Sequence, residues 1–391
     1  MTVEELPDWL REHHAELVDA IKEGRYKPSP VLRVLIPKEE TGKFRPLGIP
    51  TSIDRFVQQA VAQELSKEYE PVFSRNSHGF RPFKSCHSAI GQMEKLANEG
   101  YVWVVDLDLA KFFDTVNHSK LLRILSQRIK DGRVISLVHK FLRAPVSESG
   151  KVQPSKIGTP QGGPISPIVA NIMLNELDQE LERRGHQFVR YADDMMILCK
   201  SKKSAIRTLE SIQLFIEEEL LLKLNTEKSK VCYITNPTLK FLGFGFYKQA
   251  KTKKVMSVPH RRSKAKCKQR LKRLTARSRG QSLDVFRKKL KEFVTGWCNY
   301  FRIGAMRQFV RNTDEWLRRR IRQIYWKQWK KISTRYRALM KLGVSKGKAW
   351  EWANTRKGSW RVANSHILST TLKTEFLRMK GWVCLREVYK G

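Results

Sequence analysis

Cysteine is scarce in this sequence, and none of its cysteines has a partner at short spacing. There are six among 391 residues, with no Cys-x-x-Cys pair and no histidine at metal-ligand spacing. This pattern argues against a structural zinc site and against a disulfide framework. We therefore expect reduced thiols.

Long apolar runs are missing as well. No stretch approaches the roughly 20 apolar residues that a transmembrane helix needs, and the first ten residues are acidic rather than signal-like. We expect a soluble, intracellular protein, cytoplasmic in a bacterium or organellar in a eukaryote. The chain is 41% apolar and 29% charged, without repeats or low-complexity linkers, so it can form more than one packed core.

Acidic residues are half as common as basic ones. Asp and Glu number 38 against 76 Lys and Arg, which gives a formal charge of +38. Such a protein binds a polyanion; nucleic acid is the expected partner, and an anionic membrane surface is the alternative. Residues 251–280 contain thirteen Lys and Arg and no acid, which favours contact with phosphates over a merely solvated helix face. The residues assigned to this contact are Arg261, Arg262, Lys264, Lys268 and Arg270.

Two adjacent acids, Asp193 and Asp194, lie between two short apolar runs. The pattern predicts a β-hairpin with carboxylates at its turn, because Asp tolerates the positive φ of tight turns. Two carboxylates about 4 Å apart repel by roughly 4 kcal/mol at an effective dielectric constant near 20. Bound divalent cations are the usual reason for such a pair, and a solvated acidic turn is the alternative.

A second acidic position ends the nearly continuous apolar run from Tyr101 to Leu109, which predicts a central strand. Asp106 and Asp108 are two residues apart and face the same side of a regular strand, so their spacing does not distinguish them. If this strand and the acidic hairpin converge, the acids can hold two Mg²⁺ ions, replaceable by Mn²⁺, for nucleotidyl transfer.

Two further stretches have phosphate-binding character. Residues 31–36 and 44–49 predict a two-stranded finger whose arms carry Lys38 and Arg45. Residues 158–167 contain three glycines and three prolines, which predict a rigid loop at the start of a helix, where phosphate is favoured. An ordinary basic hairpin and a plain connecting loop are the alternatives.

The order of these stretches resembles the reverse transcriptases encoded by group II introns, which also act as maturases. The resemblance covers the chain almost from end to end. The matching stretches are Lys38 with Arg45–Pro50, then His78–Pro82, Asp108–Asp114, Gly158–Pro167, Tyr191–Asp194, Leu224–Lys228, Phe241–Phe244 and, in the maturase part, Phe293–Phe301.

The resemblance implies an α+β fold. It is that of a right-hand polymerase, with fingers and a palm containing an antiparallel sheet, followed by a helical thumb or maturase domain. Family members usually carry further residues before the position that matches Met1, including part of the fingers over the template. We therefore expect incomplete fingers, in either a truncated or a compact relative. Some members also end in an endonuclease domain that this sequence does not show, so we expect no self-encoded second-strand nick. The implied parts are fingers (1–98), palm (99–247), thumb or maturase domain (248–335) and a basic nucleic-acid-binding region (336–391).

The resemblance also assigns roles to residues. Asp108, Asp193 and Asp194 are implied to be the catalytic acids and metal ligands, together with the backbone carbonyl of Leu109. Asp108 is preferred to Asp106 because Phe113 then falls at the family's sugar-gate spacing. Residues implied at the incoming nucleotide are Lys38, Arg45, Phe113, Gln161, Gly162 and Lys228, the last at the leaving pyrophosphate.

Basic residues outside the 251–280 stretch are also predicted to contact nucleic acid. Arg81 lies in a basic, turn-rich loop. Arg318, Arg319 and Arg320 lie on a helix whose apolar side is carried by other residues, so we expect all three to be available to RNA.

We therefore expect an RNA-directed DNA polymerase that extends a DNA or RNA primer on an RNA template with dNTPs. It is also expected to bind its intron RNA and target DNA, assisting splicing and mobility, and to need no membrane. One alternative is a non-enzymatic RNA-binding splicing cofactor that keeps the polymerase fold as a scaffold. Another is a reverse transcriptase of the same family that serves bacterial defence or repair.

Overall fold

The computed structural model of the chain divides into two compact units, Met1–Ile234 and Thr235–Gly391, which we call the first unit and the second unit. The four-part division predicted from the sequence stays a prediction, and its boundary at residue 247 falls within the second unit. The residues that the structure describes are 1–37, 42, 44–148, 151–153, 158, 162–276 and 282–390.

The first unit mixes helices with two small sheets. A 3-10 turn (Glu70–Val72) and a π-helical turn (Phe215–Glu219) extend two of its helices. Its helices and strands are α1 (Leu6–Lys22), β1 (Val31–Pro37), β2 (Phe44–Ile49), α2 (Ser52–Tyr69), α3 (Cys86–Asn98), β3 (Trp103–Leu107), α4 (Phe112–Thr115), α5 (His118–Arg128), α6 (Gly132–Leu142), β4 (Val146–Glu148), β5 (Lys151–Gln153), α7 (Ser166–Arg183), β6 (Gln187–Tyr191), β7 (Asp194–Cys199), α8 (Lys202–Leu214) and β8 (Lys230–Tyr233).

The predicted finger is confirmed in the paired arms β1 and β2. They are antiparallel, with Leu32 opposite Ile49 and Pro37 opposite Phe44. β1 also pairs in parallel with β4, which gives a four-stranded sheet in the order β2-β1-β4-β5. The two finger arms are thus part of a larger sheet that includes a second hairpin. This pairing stabilises them, because an isolated two-stranded hairpin is only marginally stable in water.

The second sheet has the strand order β6-β7-β3-β8 and is antiparallel throughout. The continuous apolar run of β3 is explained by its central position, since Val104 and Val105 face opposite sides and are both fully buried. On one face, Val105, Leu107 and Ile197 join a large apolar core shared with α5, α6 and α7. Burying one such side chain stabilises the fold by about 1.5–3 kcal/mol relative to leaving it exposed. The sheet is therefore well anchored in the core and gives fixed positions to the residues at the ends of its strands.

The second unit contains a single hairpin and is otherwise helical in its described part. This arrangement, together with the first unit, confirms the predicted α+β fold followed by helices. Its elements are β9 (Phe244–Lys248), β10 (Val255–Pro259), α9 (Arg261–Leu274), α10 (Leu283–Phe301), α11 (Arg307–Gln328), α12 (Ile332–Lys341), α13 (Lys346–Ala353), α14 (Ser359–Val362), α15 (His366–Thr371), α16 (Thr374–Met379) and α17 (Leu385–Lys390).

None of the helices in the described ranges combines the length and the apolar character that crossing a membrane requires.

Candidate active site

The acidic hairpin predicted from the sequence is the turn between β6 and β7. Tyr191 pairs with Asp194, so Ala192 and Asp193 form a two-residue turn and Asp194 opens β7. The left-handed conformation falls on Ala192, with φ of 57°, and not on an aspartate, which corrects our reason for placing Asp there. Asp193 and Asp194 are both exposed.

Gly79 holds this turn from the loop that precedes α3. A Cβ atom at Gly79 would lie 2.3 Å from the amide nitrogen of Ala192, a distance that no side chain can occupy. The close contact between the two backbones therefore requires glycine. The carbonyl of Gly79 in turn accepts a hydrogen bond from Nδ2 of Asn171 on α7, at 2.9 Å.

Arg190, in the middle of β6, holds the same turn from inside the core. Its side chain is 1% exposed, and it donates to Asp178 from Nε at 2.8 Å and from Nη2 at 2.5 Å. Its Nη1 donates to Oδ1 of Asn171 at 2.9 Å and to the carbonyl of Ala192 at 3.0 Å. A buried ion pair is tolerated only when its hydrogen bonds are made, and here one of those bonds fixes the turn.

Our sequence reasoning missed the Arg190 network. The available signal was a charged residue inside the apolar run of β6, which a search for alternating apolar residues passes over. Its partner Asp178 lies twelve residues earlier, on the buried side of α7.

The end of β3 and the β6–β7 turn meet at one edge of the sheet. Leu107 is paired with Met195 in the antiparallel register. The next positions outward in that register are Asp108 on one strand and Asp194 on the other. The strand end and the acidic turn therefore converge, as the sequence predicted for a two-metal site.

Asp106 lies one step further inside the same sheet and has a different environment. It is opposite Met196, and Nζ of Lys230 lies 3.7 Å from its Oδ2. Burial raises the pKa of Asp106, and the Lys230 ammonium offsets part of this effect. Asp108 lies at the end of the strand and is the more accessible of the two acids, with its side chain 36% exposed against 21% for Asp106; the preference for Asp108 stays a prediction.

Leu109 lies two residues beyond the end of β3. Leu109 forms an isolated antiparallel bridge with Leu224, in which the amide of Asn225 donates to the carbonyl of Asp108 at 2.8 Å. Because carbonyls alternate along an extended chain, the carbonyl of Leu109 points away from Leu224. The carbonyl that the resemblance implies as a metal ligand is therefore not used in the bridge to Leu224.

Lys228 lies next to the candidate acid Asp108. Its Nζ is 3.7 Å from Oδ2 of Asp108, and the two side chains are 61% and 36% exposed. An ion pair this exposed contributes less than about 1 kcal/mol. Lys228 can therefore leave this carboxylate for another anion at little cost.

Phe113 lies on α4, beside the glycine-rich loop. Phe112 is buried, while Phe113 is half-buried, with the two ring centroids 5.1 Å apart. A Cβ at Gly158 would lie 2.8 Å from the carbonyl of Phe113, and one at Gly162 would lie 2.8 Å from the carbonyl of Gly48 on β2. The described ends of this loop thus contact both the Phe113 segment and the finger.

Three predicted nucleotide contacts are in or next to segments that are only partly described. Lys38 and Gln161 lie outside the described residues and stay predictions. Arg45 is exposed on β2, opposite Ile36.

Carboxylate oxygens are the ligands that Mg²⁺ prefers, so the donor types of Asp108, Asp193 and Asp194 fit a divalent cation. Over the described ranges, however, no three His, Cys, Asp or Glu side chains are grouped closely enough to hold a metal ion. The carboxylates share an edge of the sheet without forming a closed set of ligands.

Arg81 does not have the solvent-facing position we predicted for a nucleic-acid contact. Its side chain is 6% exposed and pairs with Glu70, at 2.7 Å from Nη2. It also donates to the carbonyl of Ser77 at 3.0 Å and stacks over the ring of Phe73. Arg81 therefore stabilises the loop that carries Gly79, which corrects the earlier expectation.

The basic residues predicted on α9 are mostly accessible. The buried side of the helix is formed by Cys267, Leu271 and Leu274. Lys264 is half-buried, with its Nζ 5.9 Å from the ring centroid of Phe309. The exposed members of the predicted set are Arg261, Arg262, Lys268 and Arg270.

Two of the three consecutive arginines on α11 have internal partners. Nη2 of Arg319 donates to the carbonyl of Trp360 at 2.9 Å, and its guanidinium lies 3.8 Å from the centroid of that ring. Arg320 donates to Oγ1 and to the carbonyl of Thr275 at the end of α9. The sequence predicted that Arg318, Arg319 and Arg320 would all be available to RNA. The structure corrects this prediction for Arg319 and Arg320, because their hydrogen bonds connect α11 to Trp360 and Thr275.

Comparison with known families gives two matches. Residues 36–246 match the model described as "Reverse transcriptase (RNA-dependent DNA polymerase)". This match covers more than half of the chain, so the chain belongs to the reverse transcriptase family. Residues 264–343 match the "Group II intron, maturase-specific domain", which places a maturase-specific domain after the polymerase domain and confirms the family recognised from the motifs.

Curated relatives agree with both matches. The group II intron-encoded protein LtrA of Lactococcus lactis subsp. cremoris is 32% identical over 293 residues, covering 59% of this chain and 49% of LtrA. Protein YkfC of Escherichia coli K12 is 35% identical over 265 residues, covering 58% of this chain and 69% of YkfC. The chain thus spans about half the length of LtrA.

Among solved structures, apo telomerase from Candida tropicalis aligns over 92% of this chain and 64% of its own, with 14% identity and a TM-score of 0.48.

Proposed function

We propose that this chain is the RNA-directed DNA polymerase and maturase of a group II intron. It extends a DNA or RNA primer on an RNA template with dNTPs, and it binds intron RNA and target DNA. The observation that carries the proposal is the β3–β7 register, which brings Asp108 to the same sheet edge as Asp193 and Asp194 within the polymerase domain.

Asp108, Asp193 and Asp194, with the carbonyl of Leu109, are the residues that would hold two Mg²⁺ ions, or Mn²⁺ in their place. When bound there, such ions would lower the pKa of a primer 3′-hydroxyl and neutralise the triphosphate and the leaving pyrophosphate. The contact with Gly79 fixes the backbone of the turn and therefore the positions from which the side chains of Asp193 and Asp194 extend. A backbone fixed in advance lowers the free energy needed to assemble the site.

The remaining predicted contacts surround the incoming nucleotide. Lys228 stabilises the leaving pyrophosphate after separating from Asp108, which its weak exposed pairing allows. Phe113 lies under the sugar and excludes a 2′-hydroxyl by its size. The triphosphate and the base pair are contacted by Lys38, Arg45, Gln161 and Gly162.

Nucleic acid is held mainly by charge. The exposed basic residues of α9 contact backbone phosphates, and the maturase-specific domain carries the intron RNA. We place this activity in the bacterial cytoplasm, or in an organelle if the host is eukaryotic.

Primer extension by Asp193→Asn tests the active-site assignment. We expect the rate on a primed RNA template to fall by several orders of magnitude, because a lost carboxylate removes charge that the transition state requires. RNA binding should persist. Asp106→Asn is the matched control, since it removes a carboxylate two residues from Asp108 on the same strand, and it should retain most of the rate. Near-normal extension by Asp193→Asn would overturn the assignment.

A further inference from the structure

We propose that an arginine-lined cavity in the second unit binds consecutive backbone phosphates of a folded RNA strand. The cavity has a volume of about 710 Å³. No acidic residue is among the described residues that line it. Its polar lining consists of Arg302, Arg307, Gln308, Arg311, Arg386 and Tyr389.

Most of the charge around this cavity is uncompensated. The side chains of Arg302, Arg307 and Arg386 are exposed, and none has a hydrogen bond or ion pair to another described residue. Arg311 pairs only with Glu315, at 3.3 Å, in an exposed contact of small energetic value. Like charges in a concave surface reinforce each other's potential, so the cavity attracts an anion more strongly than a flat surface with the same charge would.

The arginines come from three separate parts of the chain. Arg302 follows the end of α10, Arg307 and Arg311 lie on the first turns of α11, and Arg386 lies on α17. The first turn of α11 has no acidic residue and no capping side chain, so the partial positive charge of the helix end adds to that of the arginines. Convergence of three segments on one basic cavity indicates a built site rather than a basic run along one helix.

A buried carboxylate fixes the part of the cavity that α17 supplies. Asp314 on α11 is 4% exposed and accepts hydrogen bonds from the amides of Leu385 and Arg386, both at 2.8 Å, and from the thiol of Cys384 at 3.0 Å. A six-residue helix is not stable alone, so these bonds determine where α17 and its Arg386 lie. The backbone of Arg386 is therefore fixed beside the cavity.

The chemistry of the lining identifies the ligand. Arginine binds phosphate through a planar fork of hydrogen-bond donors. The four arginines that line the cavity carry more positive charge than a single phosphate monoester can neutralise. The volume is that of a site for a ligand of several groups. Folded RNA is recognised through phosphates and shape, and Arg302, Arg307 and Arg311 all lie within the maturase-specific match at 264–343. The inference rests on the proposed function and specifies where the RNA backbone is held.

Binding of a folded group II intron transcript at several salt concentrations tests the site. We expect Arg302→Gln/Arg307→Gln to bind at least about 10-fold more weakly, because two charged hydrogen bonds to phosphate are lost. The slope of log affinity against log salt should fall by about 1.4–1.8, the amount for two lost phosphate contacts. Arg386→Gln, from a different segment, should lower affinity and slope in the same sense.

The matched control is Arg123→Gln/Arg207→Gln. It removes the same charge from exposed positions of α5 and α8 in the first unit, and we expect it to change the slope by much less. The site does not hold RNA phosphates if the slope of log affinity against log salt falls by the same amount in the control and in the cavity variants. The same conclusion follows if the cavity variants keep the wild-type slope. Binding of inorganic tripolyphosphate is measured as well. If the cavity variants lose affinity for tripolyphosphate but bind the RNA as tightly as the wild-type protein does, the RNA assignment is overturned.

Primer extension on a short template separates this inference from the proposed function. The cavity variants should lose far less extension at saturating template than they lose in affinity for the folded transcript. If the wild-type protein itself cannot extend a primer, the proposed function fails whatever the cavity variants do. If it extends and the cavity variants bind the transcript normally, only this inference fails.

Discussion

Two groups of arginines in this molecule differ in whether the protein supplies their partners. Arg190 and Arg81 in the first unit are buried, and carboxylates and carbonyls accept their hydrogen bonds. Arg302 and Arg307 in the second unit are exposed around a cavity. Arginine therefore positions the backbone in the first unit and is available to a ligand in the second. The two roles differ in whether the protein itself supplies hydrogen-bond acceptors for the guanidinium, and not in its charge.

The energetic consequences of the two arrangements are opposite. Removing one member of a buried pair leaves an uncompensated charge in the interior, which costs about 3–5 kcal/mol. Removing an exposed, unpaired arginine usually changes stability by about 0.5 kcal/mol or less. Stability measurements and binding measurements should therefore separate the two groups.

The largest effect is expected at Arg190. Arg190→Met should lower the free energy of unfolding of the first unit by about 3–5 kcal/mol, because Asp178 is left buried without its partner. Urea denaturation measures this loss. Primer extension should fall as well, since the hydrogen bond from Arg190 to the carbonyl of Ala192 is lost.

The double variant Arg190→Met/Asp178→Leu is the control for this prediction. Replacing both charges by apolar groups removes the unpaired carboxylate, so most of the stability should return while extension stays low. A single Arg190→Met variant as stable as wild type would show that the pair does not support the turn.

A smaller effect is expected on α11, where both kinds of arginine are present. Arg319→Ala should lower the free energy of unfolding of the second unit by about 1–3 kcal/mol, through lost hydrogen bonds to Trp360 and lost stacking on its ring. Arg307→Ala on the same helix should change it by about 0.5 kcal/mol or less. Thermal denaturation of the two variants compares them directly, and equal losses would remove the distinction between paired and unpaired arginines.

The smallest effect concerns pH and His78, which precedes Gly79. Its ring bonds to Oγ of Ser88 and to Oε1 of Gln92, both at 2.7 Å. Burial lowers the pKa of His78, the hydrogen bond to Gln92 offsets part of this effect, and the positive charges of Lys84, Arg81 and Arg190 lower the pKa further. The unfolded chain therefore binds a proton more readily than the native one. The contribution of His78 to stability is complete above its ordinary pKa of about 6.5 and is lost as the pH falls from there toward the lowered native pKa.

Urea midpoints of the first unit at pH 7.5 and 5.5 check this sign. The wild-type protein should be less stable at the lower pH, and His78→Gln should show a smaller difference, since it has no ring to protonate. A larger difference in the variant than in the wild-type protein would contradict the assignment.

Elements defined by local patterns were predictable from the sequence. The mostly apolar stretch 31–36 predicted β1, and the apolar run from Tyr101 to Leu109 predicted β3. The adjacent acids Asp193 and Asp194 predicted the hairpin, although the left-handed residue proved to be Ala192. Such features depend on neighbours within a few residues, which the sequence shows directly.

Long-range partners were not predictable in this way. Arg81 and Arg319 read as available cations because their acceptors, Glu70 and the carbonyl of Trp360, lie 11 and 41 residues away. The order of the motifs suggested that Asp108 would meet the acidic hairpin, but the register that brings it opposite Asp194 is a property of the assembled sheet. Whether a charged residue serves the fold or a ligand is decided by contacts of this kind.

The contact between Gly79 and Ala192 also limits which substitutions this protein can accept. Any side chain gained at position 79 would push the backbone of the acidic turn aside, so a mutation in one loop is felt at another loop more than a hundred residues later in the chain. A side chain at position 79 can therefore be accommodated only in a variant whose acidic turn has shifted.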